Sequence, residues 1–144
     1  MAFLYRKKLN LMDLADRRIP KKKIFLMVED SFLRGIYSYH LLNEEYEVGG
    51  CGRVEDMQAH LGLFNPHLLL LLLSQVPSRR DIVYHLRLAR KSSPGLKIVT
   101  VGSTGQQETL NRLMDFGISA HIDRRLSRPR DVVDVVKIIL NDKN

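Results

Sequence analysis

The sequence has no tryptophan and a single cysteine. Cys51 alone cannot close an internal disulfide, so a disulfide-stapled secreted scaffold is excluded. Long apolar runs are also lacking. The longest, residues 68–73, is six leucines and falls far short of the about 20 residues a membrane-spanning helix needs. Arg6, Lys7 and Lys8 are not followed by the apolar core of a secretory leader. A cytoplasmic, reducing setting without a membrane span is expected. Metal-ligand spacing is missing too: His40, His60, His67 and His85 stand apart from one another. The run Gly49-Gly50-Cys51-Gly52 lacks the following Lys-Ser/Thr of a phosphate loop and does not open a helix, so it reads as turn chemistry.

Acidic residues are fewer than basic ones, 16 against 23, giving a net charge of +7. The excess is local. Residues 1–23 carry eight basic and two acidic side chains, a net +6, which leaves +1 for the remainder. The basicity therefore belongs to an N-terminal extension and not to the body, and the net charge implies no general nucleic-acid-binding surface on the body. Within it, Tyr5, Leu9 and Met12 share helical spacing, as do Leu4, Leu11 and Ala15. The spacing predicts a short amphipathic helix ending before Pro20. Three roles stay open for it: a loosely packed extension, a docking or self-association helix, and a contact with a membrane surface or nucleic acid.

The chain is long enough to bury one core. Residues 23–30, Lys-Ile-Phe-Leu-Met-Val-Glu-Asp, read as a strand covered on both faces that delivers two carboxylates at its end. Ser31 opens a helix to about Asn43, with Phe32, Ile36, Tyr39 and Leu42 as its inner face. Strand-like segments follow at 46–51, 67–73, 97–101 and 118–122. Helical periods lie between them at 54–64, 78–91 and 106–116, and after them from 127. Met57, Leu61 and Phe64, then Ile82, Leu86 and Ala89, then Val132, Val133, Val136, Ile139 and Leu140 form the successive apolar stripes. The prediction is a single α/β domain over 23–144 after a basic extension over 1–22. It is a (βα)₅ doubly wound, five-stranded parallel sheet with right-handed crossovers. In such a sheet ligands bind outside the carboxyl ends of the strands, where Glu29 and Asp30 lie.

Several short motifs in this order carry a resemblance. They are Val28-Glu29-Asp30, Asn65-Pro66-His67-Leu68, Pro77, Gly117-Ile118-Ser119-Ala120-His121-Ile122, and Ser127-Arg128-Pro129 before the last stripe. Together they make residues 23–141 similar to a bacterial response-regulator receiver domain of two-component phosphorelay signalling. The resemblance implies a flavodoxin-like sheet of strand order 2-1-3-4-5. It also implies a site in which two acidic residues and an acceptor aspartate hold Mg²⁺. A Ser/Thr, a Lys and a rotating aromatic then read the phosphoryl group.

This chain departs from that pattern. The acceptor position falls on Leu73 counting back from Pro77, or on Leu72 counting forward from Pro66. Neither leucine can be phosphorylated, and Ser74 lacks both the charge and a neighbouring base. The Ser/Thr position falls on Gly102, the aromatic position on His121 and the Lys position on Arg124. Glu29 and Asp30 read as a remnant acidic pocket. Three fates are open to it: an ion pair with Arg124, a solvated pair, or weak residual Mg²⁺ binding. The ion pair is preferred, because two carboxylates without a third anionic ligand hold Mg²⁺ poorly. Arg79, Arg80, Arg125, Arg128 and Arg130 form either an anion-binding rim or, with Asp81, Asp123 and Asp131 interleaved, a mixed solvated one.

The expectation is a non-enzymatic, atypical receiver that needs no cofactor and no phosphorylation. It acts on a protein partner, or on itself, through the face made by residues 104–141. The alternative is a transcriptional or nucleic-acid-associated regulator that uses the tail and the arginines. An enzyme is not expected, since no nucleophile–base pair and no cofactor loop is present.

Overall fold

The structure, a computed structural model, describes residues 2–5, 20–73, 79–102 and 107–141. Strands β1 (Ala2–Tyr5), β2 (Lys23–Met27), β3 (Glu47–Cys51), β4 (Leu68–Leu72), β5 (Lys97–Gly102) and β6 (Ala120–Asp123) form one sheet in the order β1-β3-β2-β4-β5-β6. The five strands from β2 onward are parallel to one another. Numbered among themselves they run 2-1-3-4-5, as expected. Between them lie α1 (Ser31–Asn43), α2 (Val54–Phe64), α3 (Arg79–Ser92) and α4 (Gln107–Phe116). After β6 come a 3₁₀ turn (Arg124–Leu126) and α5 (Pro129–Leu140).

Alternation along the strands divides the core into two layers. Ile24, Leu26, Val28, Val48, Leu68, Leu70, Leu72, Val99, Val101 and Ile122 face α1 and α5. Phe25, Met27, Leu69, Leu71 and Ile98 face α2, α3 and α4. All five residues of β4 are buried, as the unbroken leucine run requires of a central strand. The inner stripes predicted for α2, α3 and α5 meet these layers.

Three expectations are corrected. Residues 2–5 are a strand and not part of a helix. They pair antiparallel with β3, with Ala2 opposite Cys51 and Tyr5 opposite Val48. They complete an edge that β3 would otherwise leave open. Residues 6–19 lie outside the described part.

The glycine run is not a turn either: Gly49 and Gly50 are inside β3. Side chains at these places would press on their neighbours. A Cβ on Gly49 would stand 3.3 Å from the Phe64 ring, and one on Gly50 would stand 2.9 Å from the Leu26 carbonyl and 3.3 Å from Arg34 Cδ. Glycine in this strand marks close approach of neighbours.

The third correction concerns α1. Its buried residues are Arg34, Tyr37, Ser38 and Leu41. Of the predicted stripe, Phe32 and Tyr39 are 77% and 64% exposed.

Candidate functional site at the carboxyl edge of the sheet

The carboxyl ends of β2, β4, β5 and β6 bring the predicted positions to one edge. Glu29 and Asp30 follow β2, Leu73 follows β4, Gly102 ends β5 and Arg124 follows β6. Leu72 points into the α1/α5 layer and is fully buried. Leu73 turns to the other layer and lies directly against Gly102. A Cβ added to Gly102 would be 3.0 Å from Leu73 Cβ, tighter than ordinary packing allows. Leucine and glycine thus fit each other at the point where the two strands end.

Asp30 is the N-cap of α1. Its Oδ1 accepts from the backbone N–H of Phe32 at 2.8 Å and of Leu33 at 3.1 Å. This satisfies two donors that helix geometry leaves without a partner. Both Glu29 and Asp30 are exposed. Arg124 is exposed as well, and its charge reaches α1. Burial raises the pKa of the Tyr37 phenol, and the Arg124 guanidinium opposes that rise.

The sequence reading missed Arg34. Its side chain is 4% exposed and runs beneath the acidic pair. Nη1 donates to the Val28 carbonyl at 2.5 Å and to the Glu29 carbonyl at 3.4 Å. A Cβ on Gly52 would stand 3.0 Å from the same nitrogen. A buried cation needs such acceptors to offset its lost hydration. The available signal was the pairing of an arginine four residues after Asp30 with glycines at the end of the adjoining strand.

His121 sits opposite Thr100 in the parallel register. The Thr100 hydroxyl and His121 Nδ1 are 2.8 Å apart. Thr100 is wholly buried, and His121 Nε2 is buried with no hydrogen-bond partner among the described residues. Burial holds the imidazole below its ordinary pKa, with Asp123 opposing. The predicted aromatic position therefore carries a neutral, hydrogen-bonded ring.

The arginines meet acidic neighbours. Arg125 reaches Asp123 at 3.4 Å, and Arg128 reaches Asp131 at 3.3 Å. The side chains of Arg79 and Arg80 lie outside the described part. Arg130 is exposed on the first turn of α5.

These residues do not fit the Mg²⁺ that the receiver resemblance implies. One of the two carboxylates caps a helix, the third anionic position is leucine, and a buried guanidinium lies under the pair. Among the described residues no group of three acidic, histidine or cysteine side chains could hold a metal ion.

Comparison with solved structures gives the fold. A CheY-like response regulator receiver domain protein from Methanospirillum hungatei JF-1 superposes with a TM-score of 0.75 at 23% identity, over 85% of this chain and 96% of that one. A signal receiver domain from Bermanella marisrubri gives 0.72 at 20%, over 85% and 100%. The receiver domain of NtrX from Brucella abortus gives 0.69 at 19%, over 82% and 98%. No protein-family model and no curated protein sequence matches the chain.

Proposed function

With the receiver fold as premise, we propose that this chain is a signalling domain that works by protein–protein contact and takes no phosphoryl group. The observation that carries the reading is the Leu73–Gly102 contact. Where the strands of a phosphoacceptor site would present a carboxylate and a hydroxyl, this edge presents a leucine seated on a glycine. Phosphoryl transfer needs an in-line nucleophile and a cation to neutralise the developing charge. Neither role has a suitable side chain at Leu73 or Gly102. Arg124, whose field is felt at Tyr37, is the cation this reading assigns to Glu29 and Asp30 in place of metal. The chemistry left at the site is electrostatic and structural, so the reading is non-enzymatic.

The partner face is the one built from α4, β6 and α5. β6 ends the sheet, and Met114 on α4 and Ile138 on α5 are 55% and 71% exposed. Partner and self-association are both served by such a face. No helix among the described residues is long and apolar enough to cross a membrane, and the one cysteine is buried and free. A cytoplasmic setting is part of the proposal.

The test is to add acetyl phosphate or beryllofluoride with Mg²⁺ while recording amide spectra and sedimentation. The expected result is no saturable shift at Glu29, Leu73 or Gly102, no gain in intact mass and no change in association state. A saturable shift centred on those residues would sink the proposal.

A further inference from the structure

A second concavity lies on the opposite edge of the sheet, among the amino ends of β2, β4 and β5. Its volume is about 530 Å³, and its lining includes Lys22, Lys23, His67 and Lys97. None of the described residues lining it is acidic. Pro66, Pro94, Leu96, Ile139 and Leu140 give it an apolar wall.

The local structure orients its donors. The Lys23 backbone N–H donates to His67 Nδ1 at 2.9 Å. That assigns the remaining imidazole proton to Nε2. His67 is exposed, so this N–H is available to a ligand. The Lys23 ammonium donates to the Phe64 carbonyl at 3.3 Å and lies 5.5 Å from the Phe64 ring centre. It adds to the positive field from the rim. Burial, then the Lys22 and Lys23 charges, hold His67 below the ordinary imidazole pKa, as a concentration of positive charge around it would. The charged groups facing it are Lys22 and Lys23 ahead of β2 and at its start, and Lys97 at the start of β5.

We propose that this cavity is a binding site for a small organic phosphate monoester, separate from the carboxyl edge. Lys22 and the His67 N–H, in the positive field of Lys23 and Lys97 and with no acidic group among the described lining residues, match a ligand of nearly two negative charges, which a phosphate monoester carries near pH 7. The apolar wall takes the body of the ligand.

Phenyl phosphate, inorganic phosphate and phenol are the probes, titrated into the full chain by heteronuclear NMR. Phenyl phosphate is expected to saturate shifts at Lys22, His67, Gly95 and Lys97. Phosphate should bind more weakly at the same residues, and phenol should leave them unmoved. Affinity should be greatest near neutral pH, where the monoester is dianionic, and should fall as pH drops through its second pKa of about 6. Lys22→Gln should weaken binding about tenfold, the size of one charge-assisted contact. His67→Asn keeps the acceptor for the Lys23 N–H but moves the donor away from the Nε2 position, and should weaken binding as well. Phenol binding equal to phenyl phosphate would overturn the proposal. So would a phenyl phosphate response that is unsaturable or indifferent to both substitutions.

Discussion

Thr100 and His121 are a matched pair, and the consequence of losing one differs from that of losing both. Replacing Thr100 with valine leaves a buried imidazole nitrogen without its partner, which costs about 1–3 kcal/mol. Thr100→Val combined with His121→Phe substitutes apolar groups at both positions and should recover most of that stability. Urea unfolding of the three proteins tests this. The pH dependence has a definite sign. In the folded chain the His121 pKa is depressed by burial, so the unfolded state binds the proton more readily. The stability contribution is complete above the unfolded imidazole pKa of about 6.5 and is lost as pH falls towards the depressed folded value. His67 is depressed too and acts in the same direction. The unfolding midpoint should therefore drop between about pH 7.5 and pH 5.5. The double variant should show a smaller drop than the parent, and an equal drop would remove His121 as a cause.

At the scale of elements, α1 shows where sequence pattern stops being sufficient. The positions of β2, β4, β5 and the last helix are legible because their apolar residues are nearly uninterrupted or strictly periodic, with Thr100 in β5 the one buried polar residue among them. In α1 two stripes compete. Phe32, Ile36 and Tyr39 are the more apolar one, yet Arg34, Tyr37, Ser38 and Leu41 face inward. Ser38 is satisfied by the Arg34 carbonyl at 2.7 Å. Arg34 is satisfied by carbonyls at the end of β2. The acceptors for Arg34 exist only once α1 is docked, so a local reading that places polar residues outside must rotate the helix wrongly. The glycines of β3 were misread for the same reason, since the groups that need their missing side chains come from α1, α2 and β2. Positions Leu73, Gly102, His121 and Arg124 were readable in order along the chain. The contact between the first two required the register.

The same element supplies a test of what Asp30 does. A helix N-cap needs an acceptor oxygen and not a charge, a metal site needs the charge, and an exposed pairing with Arg124 adds little to stability. Asp30→Ala is expected to lower unfolding stability by about 1 kcal/mol, and Asp30→Asn by much less. Neither difference should change when millimolar Mg²⁺ is added. If Asn and Ala are equally destabilising, the carboxylate charge matters more than the cap.

For the whole molecule, the antiparallel direction of β1 has an electrostatic result. Tyr5 and Ile24 are both opposite Val48 in β3. The chain therefore leaves β1 and enters β2 on the same edge, the amino edge. Lys22, Lys23 and Lys97 lie on that edge. Acidic Glu29 and Asp30 stand at the far edge.

A charge distribution of this kind attracts any polyanion. It gives affinity through counterion release, without sequence preference. Deleting the N-terminal residues is a poor probe of it, because the deletion also uncovers the β3 edge. Changing Lys7, Lys8, Arg17 and Arg18 to glutamine removes four positive charges, from +7 to +3, and leaves β1 in place. If the domain works by protein contact, the unaltered chain should hold duplex DNA only at low salt. Affinity should fall steeply between about 50 and about 200 mM salt and should not differ between duplex sequences. The fourfold variant should show a shallower salt slope and little binding. Tight, sequence-dependent binding that survives the higher salt would instead favour a nucleic-acid-associated regulator, because nonspecific counterion release cannot supply discrimination between sequences.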